Sequence, residues 1–163
     1  MRQRLVPHSQ WTVWVGDRCW VVRIPNRILD AGAQEVAAGV YTAAPLGTYN
    51  VIEIGAGTRA VQSTDTGCLT PLMQSAQNPL LPLRKVGVGV VQSGGATVQI
   101  TATFSGQEIA QSILPPGAAV PKQLVESALY ARTDGGVALH RVAYPAPLLL
   151  TGIALTIIVD ITV

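Results

Sequence analysis

Hydrophobic and polar positions alternate most clearly at the C-terminal end of the chain. From Ile153 onward the odd positions are Ile153, Leu155, Ile157, Val159, Ile161 and Val163, and the even ones are Ala154, Thr156, Ile158, Asp160 and Thr162. A period of two places every odd side chain on one face of an extended strand. β-Branched residues, which suit a pleated half-buried surface, dominate the segment. At about 3.3 Å per residue it spans more than roughly 30 Å, which predicts a central strand with one face in the core. Thr97 to Phe104 repeats the pattern, with Val98, Ile100, Ala102 and Phe104 on one face and Thr97, Gln99, Thr101 and Thr103 on the other.

Turn chemistry joins further strands into hairpins. Ser93-Gly94-Gly95 separates Val86–Val91 from Thr97–Phe104, a pairing suited to a tight turn with positive φ. Gly87 and Gly89 share one face of the first of these strands and predict a bulge or the close approach of another segment. Thr133-Asp134-Gly135-Gly136 predicts a second hairpin within Leu129–Tyr144, and Gly16-Asp17-Arg18 a third, between Trp11–Val15 and Cys19–Ile24. Tyr49–Ile54 reads as a strand and Val40–Thr42 as a short one. Helix signals are weak. Arg27–Ala38 is rich in Ala, Glu and Gln and suits one or two turns. Lys122–Tyr130 suits either a short helix begun by Pro121 or a strand running into the Asp134 turn. The prolines at 71–82, 115–121 and 145–147 predict loops, since proline interrupts strand ladders. Ser63–Leu83 is the longest stretch without periodicity, and a loop of about 20 residues has a job or a covering partner.

Many short strands, Gly- and Pro-rich turns and no βαβ alternation predict an all-β fold. We expect one antiparallel β-sandwich domain over residues 1–163, jelly-roll-like, with about eight strands, long Pro-rich loops and at most one or two short helices. Residues 1–10 are expected to form an extended N-terminal arm. An immunoglobulin-type sandwich is the next choice, although the Cys and Trp spacing departs from its signature.

Composition changes the picture in one respect. Only 12% of the 163 residues are charged, where soluble domains carry about 25%. A chain of this size needs charge to stay soluble alone, so the deficit points to a surface covered by partners. The alternative is a surface of Ser, Thr, Gln and Gly. Net charge is +2, too little to imply nucleic acid, and the only basic doublet, Arg84-Lys85, is not interleaved with aromatics. No apolar stretch follows the basic start at Arg2 and Arg4, so no signal peptide is expected. Leu148–Val159 has about half the length of a membrane helix. Cys19 and Cys68 lack the spacing of a metal site and read as small hydrophobes.

Catalytic constellations are missing from the pattern. His8 lies near the N-terminus, and His140, on a strand, reads as a packed residue. The nine acidic residues are scattered, with no close carboxylate pair and no calcium loop. Asp17 and Asp134 read as turn formers. Gly55-Ala56-Gly57 follows a strand but lacks the rest of a nucleotide-binding fingerprint, which leaves a turn. Ser93-Gly94 and Ser105-Gly106 read as loops, and no nucleophile elbow is present. No enzymatic activity, cofactor or metal is expected. The three tryptophans share one hairpin, and Trp11 and Trp14 have opposite parity, so at least one Trp should point away from the core. An outward Trp serves as an interface anchor or, on another reading, as a sugar-stacking platform.

These features together resemble the small structural proteins of tailed-phage virions: an all-β core, low charge, abundant Ala, Gly, Thr, Val and Gln, a start at Met1 without a leader, and long Pro-containing arms at Leu69–Leu83 and Leu114–Pro121. Within that group the chain looks most like a capsid decoration, or cement, protein. The resemblance implies a non-enzymatic virion component that bridges neighbouring subunits, partnered by the major capsid protein or other virion proteins and forming dimers or trimers. It implies no nucleic-acid or membrane binding, and it carries no site residues with it. A tail or baseplate protein and a carbohydrate-binding sandwich are the alternatives. The contact residues expected from the sequence are Arg2 and Arg4 in the arm, Trp11, Trp14 and Trp20 in the first hairpin, and Leu72, Met73, Leu80 and Leu81 in the long loop.

Overall fold

The fold is that of a computed structural model, described for residues 8–34, 49–58, 60–94, 97–131, 133 and 135–162. Eleven strands run in the order β1 (His8–Val15), β2 (Arg18–Ile28), β3 (Val51–Gly55), β4 (Met73–Ser75), β5 (Asn78–Pro82), β6 (Arg84–Val86), β7 (Val88–Val91), β8 (Thr97–Phe104), β9 (Gln123–Tyr130), β10 (Ala138–Leu149) and β11 (Leu155–Thr162). All pairings are antiparallel, and the sheets pack as a sandwich. The all-β sandwich expected from the alternation is the observed architecture, with eleven strands among the described residues where about eight were expected.

The spatial order is β6-β3-β9-β10-β2-β1-β11-β8-β7, with β4-β5 as a separate two-stranded sheet. One long strand makes the bend. Residues 18–26 of β2 pair with β1, while Arg27 and Ile28 pair with β10, so β2 belongs to both layers, as corner strands do. Two register shifts against β1 accompany the bend. Within the first of them, between Ile24 and Val21, Arg23 adopts a left-handed φ of 51° and donates its N–H to Thr12 Oγ1 at 3.3 Å, the geometry of a strand bulge. A second corner lies at Gly87, between β6 at one end of the order and β7 at the other. A Cβ on Gly87 would lie 2.8 Å from Ile100 Cγ2 and 3.0 Å from the Thr101 carbonyl oxygen, so the close approach expected there is met. Gly89 has no such neighbour: its Cβ would meet only Val98 Cγ1, at 4.0 Å.

β11 is central, paired with β1 and β8 without a register shift. Leu155, Ile157 and Val159 are buried in the core, while Asp160, Thr156 and Thr162 on the other face bond across to Gln99, Thr103 and Thr97 of β8. Ile153 departs from the expected alternation. It precedes the strand, next to Gly152 at φ 79°, and is 50% exposed.

Several expectations are corrected. Of the two readings of Lys122–Tyr130 the strand is the one observed: residues 123–130 form β9, and all but the first are buried. Prolines thought to mark loops lie inside strands. Pro145 and Pro147 sit in β10, where residues 144–147 face the single residue Val125 between the pairs Ala143–Glu126 and Leu148–Leu124. A bulge asks no ladder donor of either proline. Pro79 and Pro82 lie in the short hairpin β4-β5, which interrupts the expected loop over Ser63–Leu83. Ser105-Gly106, expected to be loop, instead opens α1 (Gly106–Gln111). Its Ser105 N-cap accepts from the Glu108 N–H, and Glu108 accepts from the Ser105 N–H, the reciprocal box of Ser-x-x-Glu. The helix expected over Arg27–Ala38 is helical at 30–34; residues 35–38, and the strand expected over Val40–Thr42, lie outside the described residues. β1 begins at His8 and pairs through Gln10, so residues 8–10 are strand where an arm was expected.

Candidate functional site: an apolar edge held by a buried ionic row

Register explains a polar cluster that spacing along the chain does not show. Directly opposed residues in a ladder share a face. Arg84 of β6 opposes Glu53 of β3, Glu53 opposes Ala128 of β9, and Ala128 opposes Arg141 of β10. The result is one row across four strands. It lies beneath residues 57–72, where Val61 and Cys68 pack over Leu29, Val51, Ala128, Tyr130 and Ala138.

Three carboxylates and two arginines meet in this layer; the residues are buried except Arg84, which is half-buried with its side chain largely covered. Arg84 Nε donates to Glu53 Oε2 at 2.7 Å. Arg141 donates through Nε to Glu126 Oε2 and through Nη1 to Asp65 Oδ2, both at 2.7 Å. Tyr130 donates its hydroxyl to Glu53 Oε1 at 2.8 Å, and the Arg84 guanidinium lies 3.6 Å from the centre of the Tyr130 ring. Glu126 also accepts backbone N–H groups from Gly57, Leu69 and Thr70, clasping both ends of the covering segment to β9. A side chain at Gly55 or Gly57 would collide with the Glu126 carboxylate. The glycines of Gly55-Ala56-Gly57 therefore admit a carboxylate from within the protein, where the sequence suggested only a turn. Burial, and then the negative charges of Glu53 and Glu126, push the Cys68 thiol well above its ordinary pKa. Burial likewise raises the Tyr130 hydroxyl. With Glu126 and Arg141 fully buried and bonded to the covering segment, the arrangement is a clasp.

The other buried polar residues are also internally engaged. Ser9 and His140 meet across the sandwich, with Ser9 Oγ 3.1 Å from His140 Nδ1, and the Trp11 indole N–H donates to Ser9 Oγ. His140 is fully buried, in line with a packed histidine. Among the described residues no group of three or more His, Cys, Asp or Glu is arranged to hold a metal ion.

No protein-family model matches this chain, and neither does any curated protein or solved structure compared with it.

The clasp fixes the middle of the run from residue 80 to residue 91. Arg84 is tied to Glu53 and to the Gly135 carbonyl. Lys85 is paired with Glu108 of α1 at 2.7 Å, so the one basic doublet of the sequence is ion-paired at both positions. Leu83 is buried and bonds the Leu72 carbonyl. Gly87 donates its N–H to the Asn50 carbonyl at 2.7 Å, and Asn50 Nδ2 donates back to the Gly87 carbonyl. On either side of this anchored centre the side chains face water. Leu80, Leu81, Val86, Val88, Val90 and Val91 make up six of the eleven exposed large hydrophobics among the described residues. All four residues of β7 are exposed, and β7 is the last strand of its layer.

The expected contact residues divide accordingly. Leu80 and Leu81 are exposed, as a contact surface requires. Leu72 and Met73 are buried because their backbone is knitted between Ile54 and Ile113, so they are core residues. Trp11 is fully buried: it opposes Val159 on the inward row of β11. Trp14 opposes the outward Thr156 and is 37% exposed. It is the Trp that points away from the core. Trp20 is half-buried, edge-on to Tyr144 at 5.3 Å. Arg2 and Arg4 lie outside the described residues. β7 and Val86 were missed as contact residues. Their signal was present in Val86-Gly87-Val88-Gly89-Val90-Val91, which alternates no polar residue against its valines, as a strand with a solvated face does.

Proposed function

We propose that this chain is a non-enzymatic structural protein that acts by assembling with other protein surfaces, as a virion component of the capsid-decoration type. The observation that carries the reading is the run from Leu80 to Val91, where apolar side chains face water on a rigidly anchored frame and the only two charges are already paired. Exposed apolar surface of this kind marks interaction sites. A flat, uncharged edge strand is a liability that soluble monomers suppress with Lys, Pro or a bulge. The small charge content of the chain fits a surface that spends its life covered. The sandwich holds the surface rigid, so little conformational entropy is lost on docking. Repetition on a lattice multiplies modest contacts through effective concentration.

The test is co-sedimentation of the purified protein with capsid shells formed by the capsid gene of its own genome, alongside its mass in solution. The reading expects binding to shells or self-association, weakened by lysine at Val88 or Val90. A stable monomer that binds no shell would overturn it. The same surface would serve a tail or baseplate component, and electron microscopy of labelled particles separates the two locations.

A further inference from the structure

We propose that β7 pairs with β7 of a second copy, in antiparallel register about a two-fold axis at Val90, so that one layer of the sandwich continues across the dimer. The inference rests on the assembly reading and names the partner and the geometry.

The hydrogen-bond phase of β7 sets the argument. Gln92 donates its N–H to the Thr97 carbonyl. The β7–β8 register continues from there through Val91–Val98, Val90–Gln99, Gly89–Ile100 and Val88–Thr101. Bonded and non-bonded pairs alternate in an antiparallel ladder, so Val88, Val90 and Gln92 direct their backbone groups to β8. Gly87, Gly89 and Val91 direct theirs to the other edge. Gly87 is satisfied there by Asn50. Among the described residues no hydrogen bond reaches the outward N–H and C=O of Gly89 and Val91. The edge therefore presents two donors and two acceptors in strand geometry, and such an edge is completed by another extended strand.

A second copy of β7 completes it without conflict. With the two-fold at Val90, Gly89 of one copy forms a bonded pair with Val91 of the other, and the reverse, giving four backbone hydrogen bonds. Each Val91 then lies beside a glycine. Among the described residues Gly89 has no packing reason, since a Cβ there would meet only Val98 Cγ1 at 4.0 Å, and glycine inside a strand marks a place where another backbone approaches. Val90 opposes Val90 in a close non-bonded pair, and Val88 opposes Gln92. No charge occurs between Val86 and Gln92, so identical strands meet without like-charge repulsion. The strand is short, so its dimer is weak alone and gains strength when many copies are held together.

The test uses the full chain in a Cys19→Ser background, since Cys19 is exposed. Cysteines at opposed positions fall within disulfide range, so Val90→Cys should cross-link to dimer under mild oxidation. Val88→Cys, which would face Gln92, should stay largely uncrosslinked. In sedimentation velocity, Val90→Lys should weaken the dimer by roughly tenfold or more, because two lysines would then oppose each other. Circular dichroism and a thermal melt should match the parent, as position 90 is exposed. If a dimer persists unchanged in Val90→Lys and Val90→Cys does not cross-link, β7 pairing falls and assembly through another surface stands. If the chain is monomeric yet binds capsid shells, β7 pairing falls alone. If it is monomeric and binds no shell, both fall.

Discussion

Glu126 illustrates what single residues do in this protein. Its carboxylate accepts from Arg141 and from the backbone of Gly57, Leu69 and Thr70, with no surface in contact with water. Removing one partner from a buried ion pair strands the other, at a cost of about 3–5 kcal/mol. Urea unfolding of Glu126→Ala should show a loss of that size, with new proteolytic cleavage in residues 57–70. A loss below about 1 kcal/mol, the value of a surface pair, would mean that the clasp is solvated. Cys68 and Tyr130 give a pH signature. Both are acids held protonated by the fold, above their ordinary values near 9 and 10. Below pH 8 both forms of the chain keep these protons, and the groups contribute nothing. Above pH 9 the unfolded chain releases them while the folded chain retains them, so stability falls as pH rises. Unfolding free energy should be lower at pH 10 than at pH 8, and Cys68→Ala should reduce the difference. Iodoacetamide at pH 8.5 should modify exposed Cys19 and spare Cys68.

At the scale of elements, the two glycines of the Val86–Val91 segment make opposite predictions. Gly87→Ala places a methyl against Ile100 and the Thr101 carbonyl at the sheet corner and should cost about 1–3 kcal/mol, as overpacking does. Gly89→Ala meets open space and should leave the stability of the folded monomer within about 0.5 kcal/mol or raise it slightly. Equal losses at both sites in urea titrations would contradict the corner geometry. Elements with one wet face were legible in the sequence. β8 occupies the expected residues, and β11 covers Leu155 to Thr162 of its predicted span, because polar and apolar residues alternate there. β9 was ambiguous because both its faces are covered, which erases the period. The prolines of β10 misled because a bulge absorbs them. Trp11 and Trp14 were separable by parity, but which of them faces out follows from pairing with β11, a contact made far along the chain.

The whole molecule was legible as a class. The all-β pattern, the turns and the charge deficit are local or compositional, and they survive without knowledge of strand order. The ionic row and the anchored edge depend on the register among β6, β3, β9 and β10, whose members lie up to 77 residues apart in the Tyr130–Glu53 bond. Alternation cannot encode it. What the register adds is a mechanical picture: one long strand turns a corner, a buried clasp pins the covering segment and the middle of the run, and the chain then emerges as an uncharged strand at the rim of a layer. The central claim is self-assembly through that rim, β7 against β7. Sedimentation velocity of the full chain over a wide concentration range tests it most directly. A species heavier than the 17.1 kDa monomer should grow with concentration and be lost in Val90→Lys, whereas a mass that stays monomeric throughout, or an oligomer indifferent to lysine at position 90, would contradict β7 pairing.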